Sequence, residues 1–239
     1  MKIRAISCAV LALAATGAAN AAFFSFASGS AGNAWTFNGN SLAFTDGTGN
    51  NPVSLLIDDN NGPLATLSVS TVFDANVILA YAGSTALGGG NFAHNYTAQG
   101  SFSFLDIASG TPLLNVAFTG ALFTAQGGQS SWYSTGSLQG NPANGATVNM
   151  TWTGANLPGY GLAPGALEQQ GFAFDLSALN TSGALPYAGQ NPGTALTPNF
   201  APVGPWFSEG SFSASGVIPA PGAGILLGLG ALAAARRRR

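Results

Sequence analysis

Lysine and arginine are missing from residues 23–216. All six basic residues of the 239-residue chain sit at its ends, as Lys2, Arg4, Arg236, Arg237, Arg238 and Arg239. The eight acids lie between them: Asp46, Asp58, Asp59, Asp74, Asp106, Glu168, Asp175 and Glu209. Phosphate backbones are bound through lysine and arginine, so this distribution excludes nucleic acid as a partner of the body, and anionic lipid with it. An acidic surface suits solvation, or a hard cation. Cysteine occurs once, as Cys8, inside an apolar segment and not just after it, where a lipidated cysteine would stand. Neither disulfides nor thiolate chemistry can support the body, so its fold must rest on its core. His94 is the only histidine, which rules out metal centres built from several His or Cys ligands, and no metal site is expected. Charged residues make up only 6% of the chain while glycine is abundant, a composition that favours strands joined by tight turns over charge-laced helices.

What the ends do contain is ordered. Lys2 and Arg4 precede an apolar stretch over residues 5–15, followed by small residues ending in Ala19-Asn20-Ala21. This is the layout of a secretory signal peptide over residues 1–21, with cleavage after Ala21. The apolar stretch is too short for a spanning helix, which needs about 20 residues; an uncleaved anchor is the other reading. At the far end, residues 217–239 run from Val217 and Ile218 through Pro219, Ala220 and Pro221 into an uncharged run over 222–235, and then into the four arginines. Prolines stop a preceding strand, the apolar run can enter a bilayer, and the arginines hold the end on the cytoplasmic side. A helix over the run would span about 21 Å at 1.5 Å per residue, short for a hydrocarbon core of about 30 Å. Glycines at 222, 224, 228 and 230 weaken it further, which fits a temporary anchor.

Between the ends, residues 22–216 read as one all-β domain of roughly 190 residues, long enough for a single core. Period-two alternation is cleanest over 146–153, with Val148, Met150 and Trp152 on one face, and recurs over 101–105, 171–176 and 64–73. Further strands are expected over 35–37, 42–45, 53–57, 77–81, 113–119, 121–125 and 211–213. Asn38-Gly39, Asn61-Gly62 and Asn144-Gly145 suit the positive φ angles of hairpin turns and argue for antiparallel meanders. Residues 162–170 could form at best one short helix, and 157–164 and 185–205 read as long loops. Short strands without intervening helices predict an antiparallel β-sandwich or jelly roll, flanked by the signal helix and a short C-terminal transmembrane helix.

Residues 217–239 resemble the PEP-CTERM sorting signal of Gram-negative bacteria: a Pro-x-Pro motif, a small apolar helix and a terminal arginine cluster. The resemblance covers about a tenth of the chain, and its specificity lies in the combination. It implies recognition by an exosortase-type membrane protease, an inner-membrane intermediate, and passage to the cell surface or exterior beside exopolysaccharide. Ala220 departs from the glutamate usual between the prolines, which bears on the identity of the sorting enzyme. The phenylalanine-rich body, with Phe102 and Phe104 before Asp106 and with Phe172 and Phe174 before Leu176, looks like the β-sandwich ectodomains that precede such tails.

No catalytic residue is expected. His94 lies in an expected loop over 88–95 and no nucleophile elbow accompanies it. Gly88-Gly89-Gly90 lacks the lysine and following helix of a phosphate loop. Glycoside hydrolysis needs two carboxylates in a cleft, and no spacing among the eight acids selects a pair. Asp46 with its following loop, and Asp58-Asp59-Asn60-Asn61, cluster oxygen ligands of the kind Ca²⁺ accepts but lack a closing bidentate glutamate, so they read as turns. Trp35, Trp132, Tyr133, Trp152 and Trp206 could offer stacking faces to a sugar; Trp132 and Tyr133 must point to opposite faces of a strand, and most of the five belong to the core. The expected function is that of an exported structural or exopolysaccharide-associated surface protein, without cofactor. A carbohydrate-binding module, with or without calcium, is the alternative, and a glycoside hydrolase a third.

Overall fold

Period-two alternation governs the body from its first strand. Ala22, Phe24 and Phe26 are buried while Phe23 between them is exposed, as a pleated strand with one solvent face requires. The computed structural model describes residues 21–27, 35–37, 41–46, 53–59, 63–180, 194–198, 200, 202 and 206–217. The predicted signal segment up to residue 20, the Pro219-Ala220-Pro221 motif and the arginine cluster lie outside the described residues, as do Asn38-Gly39 and Asn61-Gly62.

The strands are β1 (Ala21–Ala27), β2 (Trp35–Phe37), β3 (Ser41–Asp46), β4 (Val53–Asp58), β5 (Leu67–Gly88), β6 (Asn91–Asp106), β7 (Pro112–Gly128), β8 (Ser131–Gly140), β9 (Thr147–Trp152), β10 (Gly165–Ala166), β11 (Glu168–Asn180), β12 (Thr194–Ala195) and β13 (Trp206–Val217). All their pairings are antiparallel and belong to one sheet. The expected all-β antiparallel class is therefore what forms. Among the described residues there is no α-helix, and no helix long and apolar enough to cross a membrane.

Pairing runs from β1 through β4, β5, β6, β7, β8, β11 and β13 and returns to β1. The sheet thus closes on itself, which removes most free edges. β3 and β2 bridge the remaining length between β5 and β13, and β9 pairs with the first half of β7 where β8 pairs with the second. Inside, phenylalanines from facing stretches meet ring to ring. Phe102 on β6 lies 5.0 Å from Phe174 on β11 and 5.3 Å from Phe212 on β13, and Phe26 on β1 lies 5.3 Å from Phe104. The aromatic rings fill the space the closed sheet encloses, so the core does without cysteine.

Several strands are longer than the pattern suggests. The segment expected over 64–73 starts only at Leu67 and is continuous with the one expected over 77–81, both lying in β5, and those over 113–119 and 121–125 are both parts of β7. The expected short helix over 162–170 is not there: Leu162 bridges Leu157, and β10 and the start of β11 follow. Gly165 and Ala166 pair with β9 and Glu168 pairs with β13, and ladder bonds to neighbouring strands outweigh a weak local helical pattern. Asn144-Gly145 makes no hairpin. It ends a 3₁₀ turn (Pro142–Asn144) capped by Asn141, with Gly145 at φ 87. The tight turn between β5 and β6 is instead Gly89-Gly90, whose φ angles of 61 and 81 are both positive, as a two-residue hairpin turn of type I′ needs.

The two rims of the closed sheet differ in charge. β1 begins and β13 ends at one rim, where Ala21 stands opposite Val217. Asp58, Asp59, Asp106 and Glu168 lie at strand ends on this rim. The other rim carries the β5–β6 and β7–β8 turns, and no acid or base other than His94 occurs over 79–100 or 121–140.

Candidate functional sites on the sheet surface

Two grooves lie on outer faces of the sheet, one on each side. The first, of about 460 Å³, runs across β1, β13, β11 and β8. Ladder register places Phe23, Ser215 and Gly171 in one row, and Ser25, Ser213, Ala173 and Gln139 in the next. Its floor is low because the inner strands contribute Gly171, Ala173 and serines. Its walls are the Phe23 ring, 41% exposed, and Gln139. At one end Gln170 accepts from the Met150 N–H and donates to the Leu167 carbonyl, and Asn141 accepts from the Ala143 N–H. These two amides are therefore held in place by the protein.

The second groove, of about 470 Å³, crosses β5, β6, β7 and β9. Here Asn76, Ser101, Ala117 and Asn149 form one row across four strands, beside Ile78, Gln99, Thr119 and Thr147. A register shift between Ala98 and Gly100 bends the sheet at this point, as bulges do. Among the described residues that line them, neither groove contains a charged one.

His94 is not the surface-loop residue expected from its neighbours. It sits fully buried in β6, because the β5–β6 hairpin turns only at Gly89-Gly90 and residues 91–95 belong to the strand. Its Nε2 lies 2.8 Å from the Gly128 carbonyl, which can only accept, so Nε2 carries the proton. Nδ1 then accepts from the Ser84 hydroxyl at 2.7 Å, and Ser84 Oγ is 2.9 Å from the Tyr81 hydroxyl. The ring's second nitrogen thus meets a carbonyl and not a carboxylate, and the imidazole ties the β5–β6 hairpin to β7. Nearby, the Tyr96 hydroxyl donates to the Phe200 carbonyl at 2.6 Å and accepts from Trp132 Nε1 at 3.1 Å. Burial pushes the Tyr96 hydroxyl well above the ordinary tyrosine range, with the Trp132 hydrogen bond opposing in part. Phe200, the one described non-glycine residue with positive φ, stacks on Tyr81 with ring centres 4.7 Å apart.

No known protein family, curated protein or solved structure matches this chain.

The expected aromatic platforms divide as follows. Trp132 and Trp152 are core residues, Tyr133 points to the opposite, exposed face from Trp132, and the side chains of Trp35 and Trp206 lie outside the described residues. Of the expected acidic loops, residues 47–50 lie outside the described residues. In the other, Asp58 accepts from the Thr66 hydroxyl at 3.0 Å and Asp59 from the Leu64 N–H at 3.1 Å, so both carboxylates brace the approach to β5. Among the described residues no three acids or histidines gather closely enough to hold a metal ion. Asp106 closes the β6–β7 turn. The Ser109 hydroxyl bonded to it, and backbone N–H groups beside it, hold its carboxyl below the usual range. Phe23 is not marked as a surface aromatic by sequence alone, because it stands beside the predicted leader. The signal that could have found it is its odd place in the Ala22, Phe24, Phe26 alternation.

Proposed function

We propose that this chain is an exported protein of the bacterial envelope. It would be held briefly at the inner membrane by residues 217–239, processed near Pro219, Ala220 and Pro221 by an exosortase-type protease, and then displayed at the cell surface or released into the matrix. The observation that carries this reading is the pairing of Ala21 with Val217. Both segments read as removable lead into the folded body at adjacent residues of one rim, so cleavage after Ala21 costs the closed sheet only the first residue of β1, and cleavage near Pro219 to Pro221 costs β13 none. The absence of any lysine or arginine over residues 23–216 supports a role outside the cell that involves neither nucleic acid nor anionic lipid. In finer terms, we take the closed sheet to be flattened into a sandwich-like body, since phenylalanines of facing stretches meet at ring distances near 5 Å. Its role is structural or polysaccharide-associated, not catalytic.

Mass spectrometry of the protein recovered from its native host tests the sorting step. A C-terminus upstream of residue 222 is expected. Recovery of chains ending at Arg239 would make the tail a permanent anchor and refute processing. Replacing Arg236 to Arg239 with neutral residues should weaken retention at the membrane, because the positive charges oppose passage of the tail.

A second reading, a carbohydrate-binding module, is favoured by one observation: an exposed phenylalanine set beside uncharged amide and hydroxyl groups in a groove.

A further inference from the structure

We propose that the groove over β1, β13, β11 and β8 binds an uncharged polysaccharide, with the Phe23 ring as the stacking face and Gln139, Ser213 and Ser215 as the hydrogen-bonding groups. The proposal rests on the carbohydrate reading and gives it a site and a ligand class.

A sugar ring presents an apolar C–H face and a border of hydroxyls. Its site therefore needs a flat apolar surface and neutral groups that can both donate and accept. Phe23 supplies the first. Strand alternation sends Phe24 and Phe26 into the core and leaves Phe23 outside, where it contributes nothing to the Phe102 cluster. Gln139 supplies the second from the opposite wall, and the serine hydroxyls of β13 from the floor. Among the described residues the side chains of Gln139, Ser213 and Ser215 make no hydrogen bond within the protein, so their capacity is available to a ligand. Four neighbouring strands at about 4.8 Å spacing make the face about 14 Å wide from β1 to β8. A chain of sugars can lie across it because Gly171 and Ala173 keep the floor low.

Charge selects the ligand class. An acidic polysaccharide would need a cation to pair with its carboxylates or sulfates, and residues 23–216 contain no lysine or arginine. Asp175, opposite Ser211 one row beyond Ser213, would repel it. An uncharged glucan or mannan meets no such cost.

The second groove provides an internal comparison, since it has amides and hydroxyls but no exposed aromatic ring. The test is affinity electrophoresis of the full chain, in a zwitterionic detergent free of sugar, through gels containing dextran, a soluble β-1,3-glucan, a galactomannan or alginate. At least one neutral polymer should retard the wild type while alginate does not. Phe23→Ala should weaken that binding about tenfold or more, Gln139→Ala should weaken it several-fold, and Phe23→Tyr should preserve it. Gln99→Ala and Asn149→Ala in the second groove should leave it unchanged. Because Phe23 is exposed, the thermal midpoint of Phe23→Ala should match the wild type, which separates lost binding from lost folding. If no polymer retards the wild type, the carbohydrate reading falls and the site with it. If a neutral polymer binds but Phe23→Ala and Gln139→Ala bind equally well, the reading stands and this site is wrong. Retardation by alginate equal to that by the neutral polymers would overturn the choice of an uncharged ligand.

Discussion

Phe102→Ala should be among the most damaging single changes in this protein. Phe102 is 1% exposed and its ring lies within 5.0 to 6.4 Å of those of Phe73, Phe104, Phe118, Phe172, Phe174 and Phe212. It therefore joins β6 to β5, β7, β11 and β13 at once. Truncating a buried phenylalanine removes its transfer free energy and leaves a cavity that the closed sheet can fill only in part, a loss of about 4 kcal/mol. For a domain of this length that corresponds to about 8–16 °C in midpoint. Phe102→Leu retains much of the volume and should cost about 1 kcal/mol. Ser101→Ala, one residue away on the outer face, should stay within about 0.5 kcal/mol. Urea unfolding followed by the fluorescence of the buried Trp132 and Trp152 measures all three. If Phe102→Ala costs less than about 1 kcal/mol while the slope with urea is unchanged, the aromatic cluster is not what holds the facing stretches together.

His94→Ala should destabilise by about 2–4 kcal/mol, since it opens a cavity and leaves the Gly128 carbonyl and the Ser84 hydroxyl without their partner; Ser84→Ala should cost about 1 kcal/mol, and equal losses in the same urea assay would contradict the assignment of Nε2 as donor to buried backbone. Asp106 titrates below the usual carboxylate range, so its contribution is present above that range and lost as pH falls through the lowered value. Ser109→Ala should raise the Asp106 titration towards the ordinary value, read by NMR of the side-chain carboxyl carbon, and an unchanged midpoint would refute the hydrogen-bond cause. Tyr96 behaves oppositely: its raised pKa makes its contribution complete below the ordinary tyrosine value of about 10 and lost above it. Tyr96→Phe should therefore flatten the alkaline decline of stability, and identical slopes would count against a buried neutral hydroxyl.

The parts of the fold legible in the sequence are those where one face of a strand is apolar and the other is not. Val148, Met150 and Trp152 are buried in β9, and Phe102, Phe104, Phe172, Phe174 and Leu176 point inward as their alternation requires. What alternation does not carry is partner choice. Closure of the sheet through β1 and β13 joins residues nearly 200 positions apart, and nothing local encodes it. Strand length was also hidden where glycine interrupts the pattern, as at Gly100 in β6 and Gly120 in β7. The neighbours of His94 suggest a loop, whereas its burial depends on Gly128 and Ser84 reaching it from other strands. The groove of Phe23 was illegible for the same reason: it takes one or two residues from each of four strands, and only register assembles them.

The difference between the two rims bears on how the proposed topology would work. With the tail in a membrane, the rim bearing Ala21 and Val217 faces the bilayer, and Asp58, Asp59, Asp106 and Glu168 face it too. Anionic headgroups repel such a rim within a Debye length of about 8 Å at physiological salt. The body would stand off the surface, which would leave room for a membrane protease to act at the proposed cleavage region around Pro219, Ala220 and Pro221. After such cleavage nothing basic would remain on the body to bind the membrane again, because every arginine and lysine lies outside residues 23–216. The same charge distribution that repels lipid would then favour release, and until then the rim with the hairpin turns would be the end directed away from the membrane. Asp58→Lys combined with Glu168→Lys reverses the sign of part of the membrane-facing rim without touching the core. On this argument the double variant should stay associated with anionic vesicles after the tail is removed, while the wild-type body does not. Equal release of both would show that rim charge plays no part.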